Sequence, residues 1–245
     1  MFLTAHSGCS GTEMNSAQYL KKAVTEPVDF IEFDVRRDRS GELILQHNEI
    51  AGAGASTGSC PGLTLRDALL LILEEEQCSS GSGEKRLNCD LKEYGLAPEV
   101  QDTARECGMD PDRVWFSGSM KPAPAEVPGS PISGREAGAL TFDVPAGRIL
   151  INAEELVPGI YRNHSAEDKI RQVRTLISRF KRTSCPALNI DYHFCTDDVV
   201  REFIRAKVPL SLWTIDDAET LRHYRALLPG PLLVNVTTRQ PEIIR

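Results

Sequence analysis

Eight short apolar runs recur along the whole chain, and they constrain its fold more than any other feature of the sequence. Each run is rich in Val, Ile, Leu or Phe, and most are followed by a segment with helical periodicity. This alternation is typical of α/β proteins with parallel strands. The candidate strands are 2–6, 29–35, 86–91, 113–118, 148–152, 187–192, 209–213 and 231–236.

Several of the intervening segments carry signals for the start or the end of a helix. Ser or Thr stands immediately before a helical pattern at Thr64, Ser165 and Thr196, where its side chain can cap the first turn. A further helix is expected to begin near Pro98 and to end at Gly108, because glycine accepts the left-handed conformation that terminates helices.

Eight strands with intervening helices in 245 residues are what a (β/α)8 TIM barrel requires. We therefore predict one α/β domain over residues 1–245. The segment 119–147, poor in helical pattern, fits this fold least well and is expected to shape the cavity entrance. A doubly wound open sheet is the alternative, but no G-x-G-x-x-G or G-x-x-x-x-G-K-[ST] motif follows any candidate strand.

Composition and charge exclude several classes of protein. The chain is 41% hydrophobic and 26% charged, as expected of a globular protein. Its net charge is -7, with Lys and Arg scattered, which argues against nucleic acid as a partner. No apolar run approaches the length of an integral membrane segment, and no signal peptide is recognisable, so we expect a cytoplasmic protein. Oligomeric state is left open.

The cysteines indicate neither a disulfide framework nor a zinc site. There are seven, an odd number, without C-x-x-C spacing. Reduced thiols are expected, in agreement with a cytoplasmic location.

Residues with reactive side chains collect at the carboxyl ends of the first three candidate strands and of the hairpin after the second. In a TIM barrel this end carries the active site. The residues expected there are His6, Glu32, Asp34, His47, Asp90 and Lys92.

Three of these residues are carboxylates, which raises the question of what neutralises them. Glu32 and Asp34 point to the same face of their strand because side chains alternate, so the two carboxylates repel each other. With Asp90 they form a set of oxygen donors without a thiolate, which suits Mg²⁺ or Ca²⁺ better than zinc. We therefore predict a divalent cation held by Glu32, Asp34 and Asp90.

The remaining three residues suit catalysis beside such a cation. His6 and His47 can act as general base and general acid, since imidazole changes charge near neutral pH. Lys92 supplies positive charge where a transition state becomes negative. A cation, an acid–base pair and a lysine together favour displacement at phosphorus.

At these positions the sequence resembles the glycerophosphodiester phosphodiesterase family. The segments AHSG, EFDV, QHNE and CDLK match the order and spacing of its motifs, and SLWTIDD and VNVTTRQPEII resemble its closing strands. The resemblance implies a metal-dependent phosphodiesterase with a TIM barrel. It would hydrolyse glycerophosphodiesters or related phospholipid headgroup esters, releasing an alcohol and glycerol phosphate or a cyclic phosphate.

The sequence departs from this family's pattern at three positions. Ser7 replaces the arginine that contacts phosphate, Asn48 replaces an aspartate, and Asp90 replaces a glutamate. Asp90 and the absence of the usual small insertion after the second strand both resemble the sphingomyelinase D phospholipases of venoms. The substrate class therefore includes small-molecule and lysolipid phosphodiesters.

Two alternatives remain open for function. Ser7 and Asn48 are compatible with a catalytically weak or inactive barrel that binds a phosphodiester or a divalent cation, and the acidic cluster could instead serve to stabilise the barrel through Ca²⁺. Candidate substrate contacts are Ser7, Asn48 and Trp213, and polar residues at other strand ends are further headgroup candidates. The latter are Asn152, Glu154 and Asn235.

Overall fold

The computed structural model describes residues 1–49, 62–79, 83–124, 139–162 and 165–244, in which strands alternate with helices. The strands are β1 (Phe2–Ala5), β2 (Phe30–Arg37), β3 (Leu43–Leu45), β4 (Arg86–Leu91), β5 (Val114–Gly118), β6 (Ala123–Pro124), β7 (Leu140–Thr141), β8 (Leu150–Asn152), β9 (Ala187–Asp191), β10 (Leu210–Trp213) and β11 (Leu233–Thr238). The α-helices are α1 (Ala17–Thr25), α2 (Leu65–Cys78), α3 (Ala97–Glu106), α4 (Ala153–Leu156), α5 (Ala166–Phe180), α6 (Asp197–Ala206) and α7 (Ala218–Leu227).

Eight of the strands form a parallel sheet that curls into a barrel. Hydrogen-bonded neighbours follow the order β5-β4-β2-β1-β11-β10-β9-β8, and a parallel bridge from Phe116 in β5 to Ile149, next to β8, joins the two ends. Strand β3 pairs antiparallel with β2 as the second arm of a hairpin. Each of the eight predicted strands overlaps one barrel strand, so the (β/α)8 barrel is confirmed and the doubly wound open sheet is wrong.

Two predicted features fall partly outside the described residues. In the segment 119–147, the described residues include the short antiparallel pair β6 and β7, whereas 125–138 lie outside. Residues 50–61, which bear on the missing insertion after the second strand, also lie outside. On either side of them, β3 and α2 are described.

The helix starts confirm the capping pattern in two of three cases. The hydroxyl of Thr64 accepts a hydrogen bond from the amide of Asp67 (3.0 Å), and that of Ser165 accepts one from the amide of Asp168 (3.2 Å). Thr196 precedes α6 but makes no side-chain cap. Helices α1, α4 and α7 were not predicted from the sequence.

The barrel strands bury apolar side chains on one face, and the side chains on the other face point into the barrel interior. In β2, Ile31, Phe33 and Val35 are fully buried in the hydrophobic core. The alternate residues of the strand point into the barrel. At the amino end of the barrel, Phe30 packs edge-on against Trp115 with ring centroids 5.2 Å apart. Glu32 and Asp34 follow towards the other end.

Beyond Phe30 and Trp115, towards the carboxyl ends of the strands, the barrel interior is polar. Side chains on five adjacent strands form a chain of hydrogen bonds of 2.8 to 3.0 Å. Its members are Thr4, Asn235, Ser211, Asn189 and Asn152. Because buried amides and hydroxyls are costly without partners, this network keeps a hydrophilic interior stable.

The six cysteines among the described residues are free, and Cys60 lies outside those residues.

None of the described helices combines the length and the apolar character that a membrane crossing requires.

Close packing at the end of β5 generates a stability prediction. A Cβ added to Gly118, which has a φ of 81°, would lie 2.2 Å from the carbonyl oxygen of Leu91 and 2.7 Å from Asp90 Oδ1. Gly108 has the same φ of 81° but no atom within 4 Å of such a Cβ. We expect Gly108→Ala to cost about 1 kcal/mol of unfolding free energy and Gly118→Ala about 3 kcal/mol or more.

Urea unfolding of the two variants measures this difference. Gly108→Ala serves as the matched control for the cost of a positive φ alone. Equal destabilisation of both variants would show that the approach of β5 to the carboxyl end of β4 is not as close as the structure has it.

Candidate active site

A cavity of about 320 Å³ opens at the carboxyl ends of the barrel strands. Active sites of TIM barrels lie at this end. All six reactive residues predicted from the sequence line it: His6, Glu32, Asp34, His47, Asp90 and Lys92.

The three carboxylates are brought together by the register of two neighbouring strands. Asp34 of β2 pairs with Asp90 of β4, and Glu32 lies two residues earlier on the same face. One oxygen from each carboxylate lies within 4.8 Å of the others. Glu32 and Asp34 are 5% and 1% exposed, so their charges have little access to water.

Neutral donors from the loop after β1 bind two of these carboxylates. The amide of Ser7 donates to Glu32 Oε2 (2.8 Å), and the amide group of Asn15 donates to Asp34 Oδ2 (2.7 Å). The backbone amide of Asp34 donates in return to Asn15 Oδ1 (3.0 Å), so the two residues form a reciprocal pair. These bonds fix the orientation of both carboxylates.

Lys92 supplies the positive charge inside the cluster. Its ammonium group lies 2.7 Å from Asp34 Oδ1 and also binds Asp90 Oδ2. The remaining oxygen of Asp90 accepts a hydrogen bond from the hydroxyl of Ser117 (2.8 Å). Lys92 therefore offsets part of the negative charge of the three carboxylates.

The donor set fits a hard divalent cation. Within the described part of the chain, no lysine or arginine forms an ion pair with Asp34 Oδ2, Asp90 Oδ1 or either oxygen of Glu32. Carboxylate oxygens are the ligands that Mg²⁺ and Ca²⁺ prefer. The described residues of the cluster include no thiolate or imidazole ligand, so the donors favour these ions over zinc.

The crowding of negative charge shifts two pKa values. Burial, together with the charges of Asp34 and Asp90, raises the pKa of Glu32 to about 7, although His6 opposes this effect. Burial disfavours the charged form of Lys92, but Asp90 and Asp34 outweigh it and raise the pKa of Lys92 above its ordinary value. The lysine is therefore charged throughout the physiological range, while Glu32 gains its charge at a cost.

Both histidines are held through Nδ1. His6 Nδ1 lies 3.1 Å from the carbonyl oxygen of Ser7, and His47 Nδ1 lies 3.2 Å from Asn48 Oδ1. An oxygen of either kind accepts a hydrogen bond from Nδ1–H, and no hydrogen-bond partner of either Nε2 is found among the described residues. Since both rings line the cavity, Nε2 of each can exchange a proton there.

The three predicted substrate contacts lie in different places. Trp213 lines the cavity. Ser7 is 1% exposed, and its hydroxyl lies 3.4 Å from Asp34 Oδ2, behind the carboxylates. Asn48 is exposed and contacts His47. Neither Ser7 nor Asn48 is among the described residues of the cavity wall, and their roles in binding stay predictions.

Three of the residues that sequence reasoning missed in this region make contacts that shape the site. Asn15 and Ser117 bind the acidic cluster, and Tyr161 packs its ring edge-on to Trp213 with centroids 6.3 Å apart. Asn15 has a φ of 56°, and asparagine tolerates this conformation better than most residues, but such a signal is weak in a sequence. Tyr161 follows α4, a helix that carries no clear start signal.

Known proteins resemble this chain in fold but not in overall sequence. No protein-family model matches the chain, and no curated protein matches it. The barrel nevertheless has the fold of glycerophosphodiester phosphodiesterases, as the motifs led us to expect. Solved structures of such enzymes match it over nearly its whole length at low identity.

Three of these structures illustrate the match. The glycerophosphodiester phosphodiesterase of Thermotoga maritima has a TM-score of 0.58 at 16% identity, over 100% of this chain and 96% of that chain. The enzyme of Parabacteroides distasonis has a TM-score of 0.56 at 14% identity, over 98% and 93%. An Oleispira antarctica phosphodiesterase, in complex with the product sn-glycerol-3-phosphate, has a TM-score of 0.56 at 18% identity, over 100% and 95%.

The raised pKa of Glu32 predicts how the metal-free protein responds to pH. A carboxyl group whose pKa lies higher in the folded than in the unfolded state destabilises the fold as it ionises. Stability of EDTA-treated protein should therefore fall as pH rises from about 5 to 8, by a few kcal/mol at most. Mg²⁺ or Ca²⁺ should restore it, because a cation stabilises the ionised cluster.

Thermal unfolding between these pH values measures the effect. Glu32→Gln should flatten the pH dependence, whereas Glu74→Gln, which removes an exposed carboxylate from α2, should leave it unchanged. A melting temperature that is constant over this range in the metal-free wild type would contradict the prediction.

Proposed function

We propose that this protein is a metal-dependent phosphodiesterase acting on glycerophosphodiesters or related phospholipid headgroup esters. The observation that carries the proposal is the convergence of Glu32, Asp34 and Asp90 in one cavity with His6 and His47. The fold shared with glycerophosphodiester phosphodiesterases supports it, and the sn-glycerol-3-phosphate in the Oleispira antarctica structure supports a small glycerophosphodiester as substrate.

Glu32, Asp34 and Asp90 would hold the cation, Mg²⁺ or Ca²⁺. When bound, the ion supplies positive charge that stabilises the phosphoryl oxygens as they become more negative. Lys92 adds a second, permanent positive charge beside the proposed cation site, because its ammonium group is held against Asp34 and Asp90.

The two histidines carry the proton transfers. Nε2 of one ring accepts the proton of the attacking hydroxyl, which belongs to water or to the substrate itself. Nε2 of the other ring donates a proton to the oxygen of the leaving alcohol. The Nδ1 contacts of His6 with the Ser7 carbonyl and of His47 with Asn48 keep each ring in the tautomer that this exchange requires. With water as nucleophile the products are an alcohol and glycerol phosphate, and with a substrate hydroxyl a cyclic phosphate.

Removal of either histidine tests this mechanism. His6→Ala and His47→Ala should each lower kcat by at least about a hundredfold, because general acid or base catalysis supplies that much or more. Phosphorus NMR of metal-loaded protein with glycerophosphocholine, glycerophosphoglycerol and lysophosphatidylcholine measures turnover, and EDTA should abolish it. The product shift separates a monoester from a cyclic phosphate.

His223→Ala is the matched control, because His223 is half-exposed on α7 and absent from the described cavity wall. It should leave turnover unchanged. Full activity of both the His6 and His47 variants would overturn the assigned proton transfers.

A second candidate function is a weak or inactive barrel that binds a phosphodiester. The observation that favours it is the contact of His47 Nδ1 with the neutral amide of Asn48, which stabilises an imidazolium less than a carboxylate would. Asn48→Asp distinguishes the two candidates, since it adds the missing charge at an exposed position.

For an active phosphodiesterase, wild-type protein should turn substrate over, and Asn48→Asp should raise kcat by about tenfold. For the binding barrel, turnover should be absent in the wild type and become measurable only in the variant. Asn48→Ala, which removes the contact, should lie at or below the wild type in either case.

A further inference from the structure

The cavity carries more negative charge than the proposed metal centre needs. Among its described lining residues are five carboxylates and one lysine. A divalent cation and Lys92 together offset the three carboxylates of the cluster. The remaining two belong to Glu154 and Glu155, in the first turn of α4, which directly follows β8. A phosphodiester would add a further negative charge.

These two glutamates differ in their surroundings. Glu155 accepts hydrogen bonds from the exposed hydroxyl of Tyr94 at 3.1 and 3.3 Å, so its carboxylate is already paired. Glu154 Oε2 is buried without a hydrogen-bond partner among the described residues. Burial, with smaller contributions from Asp90 and Asp191, raises the pKa of Glu154, as expected of a carboxylate without a counter-charge.

Tyr161 relates Glu154 to a second aromatic ring, that of Trp213. The hydroxyl of Tyr161 accepts a hydrogen bond from the backbone amide of Asp191 (3.2 Å) and lies close enough to the carboxyl group of Glu154 to oppose the rise of its pKa. The ring of Tyr161 lies nearly perpendicular to that of Trp213, at 86°. Tyr161 therefore contacts the ring of Trp213 and lies near the buried carboxylate of Glu154. Trp213 and Glu154 both line the cavity.

We propose that Glu154, Trp213 and Tyr161 form a subsite for a cationic headgroup, so that the preferred substrates are zwitterionic phosphodiesters whose alcohol carries an ammonium or quaternary ammonium group. This inference rests on the proposed phosphodiesterase function. Glu154 and Trp213 line the same cavity as the acidic cluster.

Charge and shape both favour such a headgroup over a neutral one. Aromatic faces attract quaternary ammonium groups, and a carboxylate beside them adds direct attraction in a place sheltered from water. The positive headgroup also cancels the charge that the phosphodiester brings into a cavity with excess carboxylate. A polyol headgroup would leave that excess uncompensated.

Substrate competition tests the inference on the active protein. Wild-type kcat/KM should favour glycerophosphocholine over glycerophosphoglycerol by at least tenfold. Glu154→Gln keeps the size and the hydrogen-bonding capacity of the side chain but removes its charge, and it should lower this preference at least fivefold. Glu74→Gln, the exposed charge control, should leave the preference unchanged. Turnover without a preference in the wild type, or a preference unaffected by Glu154→Gln, would overturn the subsite.

A binding experiment makes the outcome independent of turnover. Ligand-observed NMR compares choline with 3,3-dimethyl-1-butanol, its uncharged isostere, in metal-loaded protein. Choline should bind at least tenfold more tightly, and Glu154→Gln should remove most of the difference. If Glu154→Gln does not fold, as judged by its melting temperature, Trp213→Leu serves as the second variant and should also weaken choline more than the isostere.

The two experiments distinguish failure of the proposed subsite from failure of the proposed phosphodiesterase function. Selective choline binding without turnover of any substrate would leave the subsite standing and overturn the phosphodiesterase proposal. Turnover with equal binding of choline and its isostere would do the reverse.

Discussion

The convergence of three carboxylates, two of them buried, within 4.8 Å of one another is the physical constraint on which the mouth of this barrel depends. Adjacent strands β2 and β4 force Glu32, Asp34 and Asp90 together, and water does not screen their repulsion. The surrounding structure compensates with Lys92 and with donors from Ser7, Asn15 and Ser117. Gly118 permits this arrangement, because any side chain there would collide with the carboxyl end of β4.

The cavity divides into two halves of different chemistry. The half formed by β1, β2 and β4 concentrates carboxylates, histidines and a lysine, which suits the phosphoryl group and its cation. The half formed by β8, β9 and β10 offers Asn152, Asn189, Glu154 and Trp213, which suits the alcohol portion of a substrate. The polar chain of hydrogen bonds from Thr4 to Asn152 connects the halves through the barrel interior.

The fold was largely predictable because the barrel strands carry strong local signals. Continuous apolar runs bounded by turn residues marked all eight, and serine or threonine caps marked the starts of α2 and α5. Helices α1 and α7 were missed, although the side chains of Ser16 and Asp217 cap their first turns and apolar residues recur at helical spacing in AQYLKKAVT and AETLRHYRAL. Their place is decided by the apolar outer surface of the sheet, against which Tyr19, Leu20 and Leu221 pack.

The sequence by itself determined the set of reactive residues: Glu32 and Asp34 share a face because side chains of a strand alternate, and His6, Asp90 and Lys92 stand at strand ends. Only the tertiary structure decided which groups meet. Asn15 reaches Asp34 from the loop after β1, and Ser117 of β5 reaches Asp90 of β4, through contacts that depend on packing between separate elements. Hydrogen bonds of this kind span many residues of sequence and leave no periodic pattern, because they are set by the closure of the barrel and not by local propensity.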